Sequence, residues 1–198
     1  MNHPPREFDR RIPTGPAERH RAVALGFTVR VRGTTDWDAP APVAGWRARD
    51  VVGHLVEWFP DFVNSATGLV LERGPSPDED PVTAWQVHTD AVQRMLDGPD
   101  AATPFRHPMA GDMPLPDAVD RFYTADVFMH TWDLARATGQ DERLDPQFCS
   151  DLLAGMMPIE ELMRSSGQFG PRVTVPDDAD AQTRLLAFIG RDPLRGAQ

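Results

Sequence analysis

The sequence predicts an all-α fold, and three observations carry that expectation. Apolar residues recur along most of the chain at the three-and-four spacing of an amphipathic helix. Prolines and glycines cluster at the edges of these periodic stretches, where helices start and stop. Strand signal is confined to the short RVTV at residues 172–175, which reads as an extended segment. With 198 residues, 40% hydrophobic and 25% charged, the chain suits one globular domain that can bury a core without disulfides. That domain is expected over residues 17–193, behind a flexible N-terminal arm at residues 1–16, and no internal repeat divides it.

The first helix is expected from about Pro16 to Gly33, with Ala22, Val23, Leu25, Val29 and Val31 as its apolar residues. Its β-branched content weakens the second half. The loop TTDWDAPAPVAGWRARD follows, dense in proline and glycine. Asp50 stands near the start of a second helix, where a carboxylate favours the first turn. That helix carries Val51, Val52, Leu55, Trp58, Phe59 and Phe62, with a kink expected at Pro60. A third begins near Pro81, with Asp80 as N-cap, and ends before Gly98. Residues Pro99 to Leu115 read as one long irregular loop, and such loops often lie over functional sites. Pro116 suits the first turn of a fourth helix that Gly139 stops. A fifth spans Pro146 to Arg164; the last begins near Asp178, carries Leu185, Leu186, Phe188 and Ile189, and stops at Gly190. Six helices with so little strand point to an all-α bundle.

Composition excludes several function classes. A net charge of −10 and a pI near 4.9 leave no basic stripe, so nucleic acid is not an expected partner. No apolar run approaches the roughly 20 residues needed to span a bilayer, so no membrane association is expected. The opening MNHPPREFDRRIPTGP lacks an apolar core and does not read as a secretory signal. The single Cys149 excludes an internal disulfide and a cysteine-rich zinc site. A cytoplasmic protein is the simplest expectation, with monomer and homodimer both open. All 20 basic residues are arginine and none is lysine. Because arginine, alanine, proline and glycine use G/C-rich codons and lysine does not, this bias points to a high-GC bacterial genome.

The fourth helix carries the chemistry. One of its faces reads Val119, Phe122 or Tyr123, Asp126, His130, Asp133 or Leu134, and Ala137, so two ionisable residues interrupt an apolar stripe. Asp126 and His130 are four apart and can approach one ion together. A buried carboxylate costs several kcal/mol unless it is paired or bound to metal. His54 is similarly placed on the second helix beside Val51, Leu55 and Trp58. Imidazole and carboxylate ligands on facing helices commonly build metal sites in bundles. Three protein ligands with an open position are the pattern of catalytic zinc. The same pair also serves as a solvated face or an ion pair, and spacing alone does not tell which helices face each other.

The runs TADVFMHTWDLARATGQD, APVAGWRARDVVGHLVEW and FGPRVTVPDDADAQTRLLAFIGRDP together resemble the actinobacterial DinB-like metal-binding family. That family is related to the N-terminal domain of mycothiol-dependent maleylpyruvate isomerase. The resemblance covers residues 17–193. Its most specific parts are W-x-x-x-D-x-x-x-H, here Trp46, Asp50 and His54, and D-x-x-x-H-x-W-D-L-A, here Asp126 to Ala135. The resemblance implies a DinB-like four-helix bundle with a long crossover and short extra helices. It also implies a divalent ion, zinc first and nickel second, on His54, Asp126 and His130. Where the isomerase has glutamate, this chain has the shorter Asp126. No counterpart is expected here for the isomerase's further C-terminal domain, whose arginine helps bind the dicarboxylate substrate. The resemblance therefore carries the metal site rather than the isomerase activity.

Two functions follow from it. One is a mycothiol-dependent S-transferase or isomerase acting through a metal-bound thiolate, its partners a small-molecule thiol and an electrophilic substrate. Mycothiol, expected in a high-GC actinobacterium, would be the co-substrate. The alternative is a non-catalytic metal-binding or stress-associated helical protein. Among other candidates, Asp133 can support a ligand histidine or pair with Arg136 or Arg30. His88 reads as a surface or core residue, His107 as a loop residue open to substrate contact, and Cys149 as a small core residue. Trp58 and Trp132 are candidates to wall the pocket.

Overall fold

Helix starts fall where proline and acidic caps put them. In the computed structural model, which describes residues 11–165, 167 and 169–194, α1 spans Pro16–Gly33 and α3 spans Pro81–Asp97, each with proline in its first turn. Of the arm expected at residues 1–16, residues 1–10 lie outside the described residues. Asp80 caps α3 by accepting from the Thr83 N–H at 2.9 Å. The helix α2 spans Ala48–Thr67; Asp50 reaches back to accept from the Arg47 N–H at 2.7 Å, and Pro60 lies inside without ending it.

The stretch expected to be one irregular loop contains a β-hairpin, β1 Pro104–His107 and β2 Gly111–Pro114, paired with Phe105 opposite Met113. His107 closes its turn: Nδ1 accepts from the backbone N–H groups of Met109 and Ala110. Its strands are four residues long and proline-bounded, too short to register as alternation. Phe105 is buried and packs against Phe62 and Phe122.

The expected fourth helix is a composite. It comprises α4 Leu115–Ala118, a π-helical turn Val119–Thr124, and α5 Ala125–Thr138, which Gly139 stops with φ 66.

The described chain divides into two compact units, Thr14–Glu142 and a smaller one containing residues 143–194. In the larger unit α1 packs on α3 and α5, and α2 packs on the same two helices, so α1 and α2 stand diagonally across a four-helix bundle. Side-chain pairs give the directions. His20 meets Thr124 and Arg30 reaches the Asp141 carbonyl, so α1 and α5 run parallel. Arg21 pairs with Asp97 while the Trp85 indole N–H donates to Thr28, so α3 runs against α1. Trp46 lies by His130, His54 by Asp126 and Phe62 by Phe122, so α2 runs against α5. The order is up, down, down, up, and the link between the parallel α2 and α3 must travel back along the bundle. It does so through the Arg73–Asp61 ion pair and Pro77, which lies against Gly53. This is the long crossover that the resemblance implies. Phe27, Leu55, Phe59, Trp85, Tyr123 and Leu134 fill the core.

The smaller unit holds α6 Pro146–Met156, a 3-10 turn Met157–Ile159, α7 Glu160–Ser165 and α8 Ala181–Phe188. The fifth helix expected as one piece is thus interrupted at Pro158, as a proline inside a helix tends to do. Asp145 and Asp180 cap α6 and α8, which pack on each other. RVTV forms no strand; the Val173 N–H donates to the Ala187 carbonyl at 2.9 Å. Cys149 is buried, and burial pushes its thiol up to about 12, so it is a core residue here. Among the described residues no helix is long and apolar enough to cross a membrane.

Candidate metal centre

Antiparallel packing of α2 on α5 brings His54 opposite the Asp126–His130 turn. One donor atom from each of the three residues lies within 4.8 Å of the others. His54 Nε2 is 3.0 Å from Asp126 Oδ2, and the Trp58 indole N–H donates to that same oxygen at 3.1 Å. The other carboxylate oxygen, Oδ1, is 3.4 Å from His130 Nε2. Exposure is graded: the side chain of His130 is 7% exposed, that of Asp126 19% and that of His54 33%. The trio is therefore closed at its base and open on the His54 side.

Burial alone would raise the Asp126 carboxyl. The facing His130, the His54 contact and the Trp58 N–H outweigh it and hold the group below the ordinary carboxylate value. Asp133 is fully buried, and its Oδ2 is 2.8 Å from His130 Nδ1. A carboxylate only accepts, so His130 Nδ1–H donates to it. In the neutral imidazole that leaves the Nε2 lone pair pointing at Asp126. Asp126 Oδ1 and His130 Nε2, 3.4 Å apart, are placed to share either a proton or a cation between them. Two imidazoles and one carboxylate, with an open side, are also the donor set that zinc accepts. The residues fit the ion.

Residues 19–135 match the family described as the mycothiol maleylpyruvate isomerase N-terminal domain. The chain belongs to that family. Two relatives from Mycobacterium tuberculosis, strains CDC 1551 / Oshkosh and ATCC 25618 / H37Rv, are each 27% identical over 155 residues. The match takes in 77% of this chain and 83% of each relative, and both relatives are described as uncharacterized proteins. No solved structure matches. The family match covers α2 and residues 125–135 of α5, so it contains every residue of the trio.

Within this family frame, the remaining candidates sort themselves. Trp58 lines the trio through its hydrogen bond to Asp126, as expected of a pocket wall. Trp132 does not: it is buried, with the Arg136 guanidinium 4.7 Å from its ring, because residues two apart on a helix point to different faces. Trp46 does what Trp132 was expected to do, stacking on His130 at 5.7 Å and lying 5.2 Å from His54. Its position eight residues before His54, within the W-x-x-x-D-x-x-x-H spacing, was the available signal. His107 serves the hairpin turn, and His88 is buried in the bundle beside Phe59 and Tyr123.

Proposed function

We propose that His54, Asp126 and His130 hold a divalent ion, zinc before nickel, and that the protein uses it in a thiol-dependent transfer or isomerisation with mycothiol as co-substrate. The observation that carries this reading is the convergence of one donor atom each from His54, Asp126 and His130 within 4.8 Å of one another. Membership of a family described by mycothiol and maleylpyruvate isomerase supports the thiol half of it.

When bound, a zinc ion would lower the pKa of a thiol at its open position, making a nucleophile available at neutral pH. The chain's own residues prepare that position. Asp133 sets the His130 tautomer, and the Trp58 N–H fixes the plane of the Asp126 carboxylate. Trp46 covers His130 and sheds water from its face, while the more exposed His54 leaves an approach for the ligand. Two neutral imidazoles and one carboxylate leave a zinc site with residual positive charge, which favours an anionic fourth ligand such as a thiolate.

Cobalt substitution tests the proposal. Mycothiol added to cobalt-loaded protein should produce a near-ultraviolet thiolate-to-metal band, and S-methyl mycothiol should not. A cobalt-loaded protein without that band at saturating thiol would overturn the thiol reading in favour of a non-catalytic metal-binding protein.

A further inference from the structure

Beside the trio, a groove of about 530 Å³ runs along the exposed edge of α2, walled by Trp46, Arg47, Asp50, His54, Glu57 and Asp78. The groove opens beside His54, the most exposed of the three residues. The charges on its walls are not equally available. Arg47 is engaged by Asp38 and Asp50 at 3.2 Å and by Asp78 at 3.8 Å. Arg49 is held by Asp38 at 3.1 Å and by the Asp78 carbonyl at 2.8 Å; its unpartnered Nε is sealed from solvent. Both guanidinium groups are thus already neutralised.

Glu57 is different. Among the described residues its carboxylate has no ion pair and no hydrogen bond, and it lies one turn beyond His54. Its Oε1 reaches over Gly53, 3.9 Å from where a Cβ would stand. The missing side chain at Gly53 keeps the floor of the groove low between Glu57 and Pro77. The cations of the groove are spent and one anion is not. An incoming carboxylate therefore meets Asp50, Glu57 and Asp78 without a free partner, whereas an ammonium or hydroxyl group finds Glu57 ready to accept.

We propose that this groove selects the part of the ligand away from the metal for ammonium or hydroxyl donors, and against carboxylates. The proposal rests on the thiol reading above only in placing the ligand's sulfur at the ion. On this account a dicarboxylate of the kind the family's name mentions is the wrong substrate class for this chain.

Small thiols of opposite tail charge test it. Cysteamine and mercaptoacetate are titrated into cobalt-loaded protein, following the thiolate band, in the parent and in Glu57→Gln. Free thiols differ in their own acidity, so the readout is the change in the cysteamine-to-mercaptoacetate affinity ratio between the two proteins. The substitution should lower that ratio about two- to fivefold, the range of a solvent-exposed ion pair, with 0.5 M salt reducing the effect. An unchanged or raised ratio overturns the proposal. If neither thiol gives a band, the thiol reading fails by itself, and the groove is tested without metal. The Trp46 fluorescence, taken as the difference between parent and Trp46→Phe and with each quencher normalised to free N-acetyltryptophanamide, should be quenched better by caesium than by iodide, and Glu57→Gln should reduce that preference. Equal quenching, or a preference Glu57→Gln leaves unaltered, again overturns it.

Discussion

At the scale of single residues, Asp133 is the side chain whose loss separates a metal site from an ordinary ion pair. It is buried and fixes His130 through Nδ1, so its effect on an ion is transmitted through the ring. Asp133→Asn should weaken zinc binding ten- to a hundredfold, measured by competition with a chromophoric chelator. Unaltered affinity in a folded variant would assign Asp133 to packing alone. Two other buried histidines give the protein an acid limit. Burial drops His20 to about 4, with Arg21 adding to the effect, and drops His88 to about 3. Both are neutral in the fold and titrate near 6.5 once unfolded, so between these values the unfolded chain binds more protons and stability falls with falling pH. From pH 7 to pH 5 each should cost about 2 kcal/mol, since one pKa unit is about 1.4 kcal/mol. Urea melts in the presence of chelator check this, and a His88→Phe variant should show the shallower dependence. At this scale the Asp126–His130 pair was legible because four-residue spacing on a helix is a direct statement about proximity, whereas His54, on another helix, was joined to it only through the family resemblance. Trp58 was legible too, but the roles of Trp46 and Trp132 were not, since side-chain direction depends on how the elements are rotated against each other.

Elements were legible wherever one residue sets a boundary. Pro16, Pro81 and Pro146 start helices, Asp80 caps α3 and Gly139 ends α5, whereas the Asp145 and Asp180 caps were not read, and α8 starts at Ala181 rather than near Asp178. The Asp80 cap should be worth about 1 kcal/mol, so Asp80→Ala should lower the urea midpoint by that equivalent without altering bound metal. A variant as stable as the parent would contradict the cap's role in starting α3. What escaped the sequence are features with no boundary residue of their own. The π-helical turn Val119–Thr124 is one extra residue absorbed into a helix, and nothing in its composition marks it. The hairpin is held by Phe105 on Phe62 and Phe122 and by His107 in its turn, which are tertiary and side-chain–backbone contacts rather than periodicity.

For the molecule, the all-α class followed from composition and spacing, but the helix directions did not. Periodicity says which face of a helix is apolar, not which neighbour covers it; the parallel pairing of α2 with α3 depends on the returning segment anchored by Arg73 and Pro77. Because the trio joins α2 to α5, an ion there would bind the folded bundle and not the unfolded chain. Saturating zinc at a hundred times its dissociation constant should then add about 2.7 kcal/mol and raise the midpoint of thermal unfolding by several degrees, with chelator reversing it. Equal midpoints with and without zinc would mean that the ion does not link these helices. The central claim, that His54, Asp126 and His130 hold a divalent ion, is tested most directly by elemental analysis. Protein purified without chelator, and His54→Ala, Asp126→Ala and His130→Ala beside it, should be assayed for bound zinc and nickel after gel filtration. The account predicts close to one ion per parent chain and little in any folded variant; full occupancy in all three variants, or none in the parent even after zinc is supplied, would contradict it.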